Sequence, residues 1–338
     1  MRAQLQITGA LLLLAGLLPL AGVLNSAMWK TFTGTNEDAL KAVADHPLST
    51  QVSGILLRAG AVLAGLAVAL GTASAASASP PPGRVPPKGY YLALGDSIGY
   101  GFQDSKALAG LPPEAFNTGY VDVFAARLRQ LRPGITTVNY SCPGESTTSF
   151  LLPCIWKASG HALHNDYAGS QLDAALAFLA AHRGQVSPVT VSLNGNDINA
   201  FLQSCPPGDL ACIQHGAPAA IAAYQARLTS ILWQLRASAP DAEIIVVGAY
   251  DPNVGAFAFA DPLFTQVNQA QQAAAATVRA RFADPFPVFN PQGDNTAETA
   301  AICTLTLLCT AGDTHPSDAG YRALADVVWA ASGYATLQ

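Results

Sequence analysis

One stretch governs what this chain can fold into: Tyr90-Tyr91-Leu92-Ala93-Leu94 runs straight into Gly95-Asp96-Ser97, with Gly99 and Gly101 close behind. Five consecutive aromatic or apolar residues suit a strand buried on both faces, which in α/β proteins means a parallel strand. The glycines let the backbone turn where a side chain would block it. A small hydroxyl is thereby delivered to the carboxyl end of a strand, where open α/β sheets hold their chemistry. A lone Gly-Asp-Ser also occurs in ordinary strand-to-helix turns, so the role of Ser97 depends on what the rest of the chain supplies.

Three later blocks supply it. Asp313-Thr314-His315-Pro316-Ser317-Asp318 sets a histidine in a loop just ahead of a helix that Ser317 or Asp318 can cap. A serine is a weak nucleophile until a base takes its proton, and His315 is the matching base. Between the two lie Ser141-Cys142-Pro143-Gly144-Glu145-Ser146 and Leu193-Asn194-Gly195-Asn196-Asp197, each after a strand-like apolar run. A glycine N–H and an asparagine amide are the donors that an acyl-transfer oxyanion needs.

In type, order and context, Ser97, Gly144, Asn196 and His315 resemble the marker residues of the GDSL/SGNH hydrolases, over about residues 88 to 333. The resemblance implies a three-layer α/β/α sandwich with a mostly parallel, flavodoxin-like sheet. It also implies a serine esterase or lipase that works through an acyl-enzyme, with no metal or organic cofactor. Ser97 N–H, Gly144 N–H and the Asn196 side chain would then form the oxyanion hole. Two positions depart from the family pattern. Asn194 stands where the third block has its first glycine, and Gly312 stands three residues before His315, where the family has Asp. Asp313 is the first candidate to hold His315, with a backbone carbonyl near Gly312 as the alternative. Lipids, simple esters and acylated sugars are all substrates that the family takes. Two other readings stand beside the esterase: an O-acetyl esterase or acyltransferase of cell-envelope polysaccharide, and an inactive envelope-anchored binding domain.

Charged residues make up 12% of the 338, against roughly 25% in ordinary soluble chains. The N-terminus accounts for much of that. Ile7 to Leu24 and Ile55 to Leu70 are apolar runs, the second ending in the small residues Thr72 to Ala78. Residues 58–78 alone would pass for a signal peptide, while the two runs together could form a membrane hairpin with Lys30, Lys41 and Arg58 on the cytoplasmic side. Either arrangement places the enzyme outside the cell, secreted or anchored to the outer face of the cytoplasmic membrane. Residues 80–88 are a proline-rich linker and 89–338 the hydrolase domain. A net charge of −5 without a basic cluster leaves no footprint for nucleic acid.

Along the domain, helical periodicity over 118–131, 170–182, 218–239, 262–282 and 318–331 alternates with strand-like runs at 135–140, 189–193, 243–249 and 288–290. That alternation predicts a parallel three-layer sheet. The six cysteines fall as close pairs, Cys142 with Cys154, Cys205 with Cys212 and Cys303 with Cys309. The spacing suggests three local disulfides in an exported protein, although six cysteines allow fifteen pairings. His161 and His164 read as part of a polar loop, and His182 and His215 as solvated. Glu145 is either a general acid or, more commonly for such a residue, a solvated loop carboxylate. Phe150, Trp156, Phe201, Phe257 and Phe259 either line an acyl pocket or pack under the loops.

Overall fold

The computed structural model describes residues 86–337, apart from 194, 207–208, 254–259 and 293–294. The two N-terminal apolar runs and most of the linker therefore lie outside the described residues, as do Phe257 and Phe259. Among the described residues no helix is long and apolar enough to cross a membrane.

The strands β1 (Tyr90–Gly95), β2 (Thr136–Asn139), β3 (Val186–Ser192), β4 (Ile244–Val247) and β5 (Arg281–Ala283) form one sheet in the order β2-β1-β3-β4-β5. Every pairing in it is parallel. β1 is an interior strand, between β2 and β3, and its alternating side chains feed both cores. Tyr91 and Ala93 join a cluster with α3 (Tyr120–Leu131) and the last helix, α12 (Asp318–Ser332). Leu92 and Leu94 join the opposite cluster with α5 (Gln171–Ala181), α7 (Leu210–Ser238) and α8 (Asp261–Thr277). Two-sided burial explains why β1 reads as an unbroken apolar run. Each fully buried leucine there stabilises the fold by about 1.5–3 kcal/mol.

Chain order reverses between β1 and its two neighbours: β2 lies on one side, β3 and everything after it on the other. A crevice opens at that switch point, outside the carboxyl ends of the strands. Short helices α1 (Ser97–Tyr100), α2 (Asp104–Leu108) and α4 (Ile155–Ala158) line this end, followed in the chain by α6 (Gly195–Ser204). The C-terminal part adds α9 (Phe286–Phe289), α10 (Asn295–Leu305), α11 (Leu308–Ala311) and a small antiparallel hairpin of β6 (Thr306–Leu307) and β7 (Asp313–Pro316).

Several expectations need correction. The strand expected at 288–290 is helix α9, because Pro285 and Pro287 carry no N–H for a sheet ladder yet fit a helix's first turn. The fifth strand instead overlaps the end of the expected helix 262–282. α8 ends at Thr277, and Arg279, at φ 53°, turns the chain into β5. α7 begins two turns before Pro218, where Asp209 caps it by accepting from Cys212 N–H at 2.9 Å. His315 lies on strand β7 rather than in a loop.

All three cysteine pairs are disulfides as the spacing suggested, with Cα–Cα separations of 6.0, 5.7 and 5.1 Å. These fall within the ordinary range for the bond.

Candidate active site

The site begins where β1 runs out. Gly95 has φ 145°, and a Cβ on it would stand 2.3 Å from the Ser192 carbonyl oxygen, so the turn toward Ser97 admits no side chain. Asp96 caps α1 by accepting from Ile98 N–H at 3.0 Å. Ser97 is left half-exposed at the helix start.

Hairpin strand β7 brings the histidine over the serine. His315 Nε2 lies 3.0 Å from Ser97 Oγ, and Nδ1 lies 2.6 Å from Asp313 Oδ1. The same oxygen accepts His315 N–H at 2.9 Å, while Asp313 Oδ2 accepts Asp104 N–H at 2.8 Å. Burial alone would raise the Asp313 pKa, but the hydrogen bonds from His315 and Asp104 outweigh it and hold the carboxyl below its usual range. Side chains around the hairpin fix its position: Gln103 Nε2 donates to Pro316 O at 3.1 Å and Tyr250 Oη–H to Thr314 O at 2.8 Å.

Asp104, Asp313 and His315 bring ligand-type atoms within 4.8 Å of one another, the one such grouping of three among the described residues. The Asp313 oxygens and both His315 nitrogens already have partners within this set and at Ser97. The arrangement is therefore better suited to moving a proton along a hydrogen-bonded chain than to holding a cation.

Gly144 and Asn196 come to the same end of the sheet. Asn196 Nδ2 donates one hydrogen to the Glu145 carbonyl at 2.8 Å, leaving the other available. Gly144 is exposed. A link that sequence reasoning missed locks their two loops together. Asp197 accepts from Thr147 N–H at 2.8 Å and from Thr147 Oγ–H at 2.6 Å, and Arg227 from α7 pairs with Asp197 at 3.1 Å. The adjacency of Asp197 to Asn196 was the available signal; the partners Thr147 and Arg227 are far away in sequence.

Glu145 is not a solvated loop carboxylate. It is fully buried, accepting from Ser149 Oγ–H at 2.5 Å and Gln171 Nε2–H at 3.2 Å. Burial pushes its carboxyl up to about 7. Phe102 tilts against the His315 ring at 4.8 Å and meets Trp156 edge-on at 5.4 Å. Trp156 in turn carries His161 stacked on it at 3.7 Å. Phe150 is core, and Phe201 packs partly buried against that core, as in the packing alternative. His182 packs against Tyr90 and Phe178 rather than standing in solvent, whereas His215 is exposed as expected. His164 Nε2–H donates to Tyr100 O at 2.9 Å.

Residues 93–323 match the GDSL-like lipase/acylhydrolase family. Among solved structures, the chain is similar to phospholipase A1 from Streptomyces albidoflavus, with 20% identity and a TM-score of 0.51 over 72% of this chain and 99% of that one. It is also similar to an extracellular lipase from Streptomyces rimosus, with 17% identity and a TM-score of 0.49 over 72% and 99% of the two chains. An acetylxylan esterase from Geobacillus stearothermophilus gives 18% identity and a TM-score of 0.47 over 74% and 97%. At these identities the likeness bears on the fold alone. No curated protein matches the chain.

Proposed function

This chain belongs to the GDSL-like lipase/acylhydrolase family, and from that premise we propose that it is a serine hydrolase of carboxylic esters. The observation that carries the reading is the continuous relay from Ser97 Oγ through His315 to Asp313, with contacts of 3.0 and 2.6 Å. Ser97 attacks the ester carbonyl as His315 Nε2 takes its proton, and Asp313 accepts from Nδ1–H, fixing the tautomer and steadying the imidazolium. The oxyanion is received by the N–H groups of Ser97 and Gly144 and by the second hydrogen of the Asn196 amide. His315 returns the proton to the leaving alcohol, and water then hydrolyses the acyl-enzyme by the same route.

The test is labelling by a fluorophosphonate probe, which should modify the protein and fail to modify Ser97→Ala. Unchanged labelling or hydrolysis in that variant would remove Ser97 as the nucleophile.

The surroundings of the site favour esters of apolar acids. Leu108 is 89% exposed, Leu151 51%, Leu152 55% and Ile155 61%, all on the short segments beside Asp104 and Gly144. Ile155 Cγ2 stands 3.5 Å from where a Cβ on Gly144 would lie. Exposed apolar side chains on segments that adjoin site residues in the chain are suited to an acyl chain. With p-nitrophenyl esters, kcat/KM should rise from acetate toward longer chains; a profile that falls from acetate onward would favour the O-acetyl esterase reading instead. We further propose that the enzyme acts outside the cell, secreted or held by its N-terminal apolar runs, since its three disulfides persist best in an oxidising compartment.

A further inference from the structure

A side chain outside the marker positions ties the nucleophile turn to the oxyanion loop. Gln171 is the first residue of α5 and is fully buried. Its amide meets the Gly95 backbone twice: Gly95 N–H donates to Oε1 at 2.6 Å, and Nε2–H donates to Gly95 O at 2.9 Å. It thus behaves as an extra strand neighbour two residues before Ser97. The remaining Nε2 hydrogen reaches Glu145 Oε2 at 3.2 Å. Glu145 follows Gly144 directly, and its carbonyl is the acceptor for Asn196 Nδ2. One amide and one carboxyl therefore connect the turn that carries the nucleophile with both candidate oxyanion donors.

We infer that Gln171 is a positioning residue for ester hydrolysis, and that the Glu145 carboxyl it holds has to be uncharged for Gly144 and Asn196 to receive the oxyanion. This rests on the serine-hydrolase reading above. The groups facing the Glu145 carboxyl are the Ser149 hydroxyl from its own loop and the Gln171 amide from α5, with the Asp96 carboxyl on the nucleophile turn and the Tyr167 phenol ahead of α5 nearby. Among the described residues no lysine or arginine pairs with it. A carboxylate buried one residue from Gly144 would oppose the negative charge that develops there. Burial, and to a lesser degree Asp96, raise its pKa more than the hydrogen bonds from Ser149 and Gln171 lower it, so the neutral form extends toward neutrality.

The experiment measures kcat and KM of the full chain on p-nitrophenyl butyrate from about pH 5 to about pH 9. In the wild type, kcat should decline as pH rises through neutrality while KM holds. Glu145→Gln keeps an acceptor oxygen but cannot ionise, so the ratio of its kcat at alkaline to acidic pH should exceed the wild-type ratio. Gln171→Ala should lower kcat by about ten- to a hundredfold with KM within about twofold, because the lost geometry matters chiefly in the transition state. A wild-type profile that does not fall, a Glu145→Gln profile with the same fall, or a Gln171→Ala enzyme with wild-type kcat would each overturn the inference. If Gln171→Ala does not fold, the Glu145→Gln profile decides alone. Wild-type hydrolysis by Ser97→Ala would instead sink the underlying serine reading, which keeps the two failures apart.

Discussion

Asp313 holds His315 from two residues away rather than three, and the reason is that both lie on β7. Along a strand, residues i and i+2 project from the same face, so a carboxylate at that spacing can meet the imidazole. The spacing that departs from the family pattern is thus the right one for an extended backbone. No carbonyl near Gly312 is needed, since Nδ1 already has Asp313 Oδ1 at 2.6 Å. Asp313→Asn should lower kcat by at least about a hundredfold, because an amide in that place can present its N–H to Nδ1 and favour the wrong tautomer. Steady-state kinetics with a soluble ester checks this. A loss of about tenfold or less, some 1.4 kcal/mol in the barrier, would take Asp313 out of the relay.

The β6–β7 hairpin also packs against α12, where Gly320 lies close to Leu305, the last residue of α10, and to Pro316 of β7. A Cβ there would stand 1.8 Å from the Leu305 carbonyl oxygen and 3.0 Å from Pro316 Cβ. Backbone at that distance cannot yield as a flexible side chain can, so Gly320→Ala must push α12 away from the end of α10 and from Pro316 on the strand that carries His315. Overpacking of this kind costs about 1–3 kcal/mol or more. We expect a lower melting temperature together with a kcat loss larger than any change in KM. Both are measurable on one preparation by thermal melts and ester kinetics. Wild-type values of both would mean that the hairpin adapts without moving His315.

Across the whole domain, two deeply buried carboxyls set how stability responds to pH. Glu145 and Asp251 are fully buried, and burial pushes each up to about 7. Asp251 Oδ1 accepts from Asn253 N–H at 2.9 Å and from Asn253 Nδ2–H at 2.6 Å, while Oδ2 has no partner among the described residues. A group with a raised folded-state pKa contributes stability that is complete below its unfolded pKa, near 4 for a carboxyl, and lost as pH rises through its folded pKa. These two groups therefore make the domain less stable on going from about pH 5 to about pH 8, and each kcal/mol lost lowers Tm by about 2–4 °C in a domain of this size. Asp251→Asn, which cannot ionise, should show a smaller drop in thermal melts over that interval; an equal drop would clear Asp251 of the effect. At the same level of organisation, residues 80–338 expressed alone under oxidising conditions should fold and hydrolyse esters, because the described residues from Tyr90 onward already give the sheet a core on each face. Insoluble or inactive protein would show that the N-terminal region is needed after all.

Much of this protein was legible in the order of its residues, and the reason is local. A strand buried on both faces has to be a continuous apolar run, and the turn after it has to carry glycine, so β1 and Ser97 could be read directly from Tyr90 to Gly101. Helices with one apolar stripe, such as α3 and α12, announced themselves by their spacing, and close cysteine pairs had few geometries open to them. Contacts between distant segments could not be read in this way. Nothing near Glu145 in the chain indicates that it is buried against Gln171, 26 residues later, so its environment was misjudged. The exchange of strand for helix at 281–290 has the same root: short apolar runs carry little periodicity, and the pairing of β5 with β4 decided which run joined the sheet. Asp313 was legible as the first candidate to hold His315, but the choice between it and a backbone carbonyl near Gly312 was made by the extended backbone of β7. Side-chain type specified the chemistry available to the site, while the direction in which each group points, and what covers it, was settled by packing between segments that the chain keeps far apart.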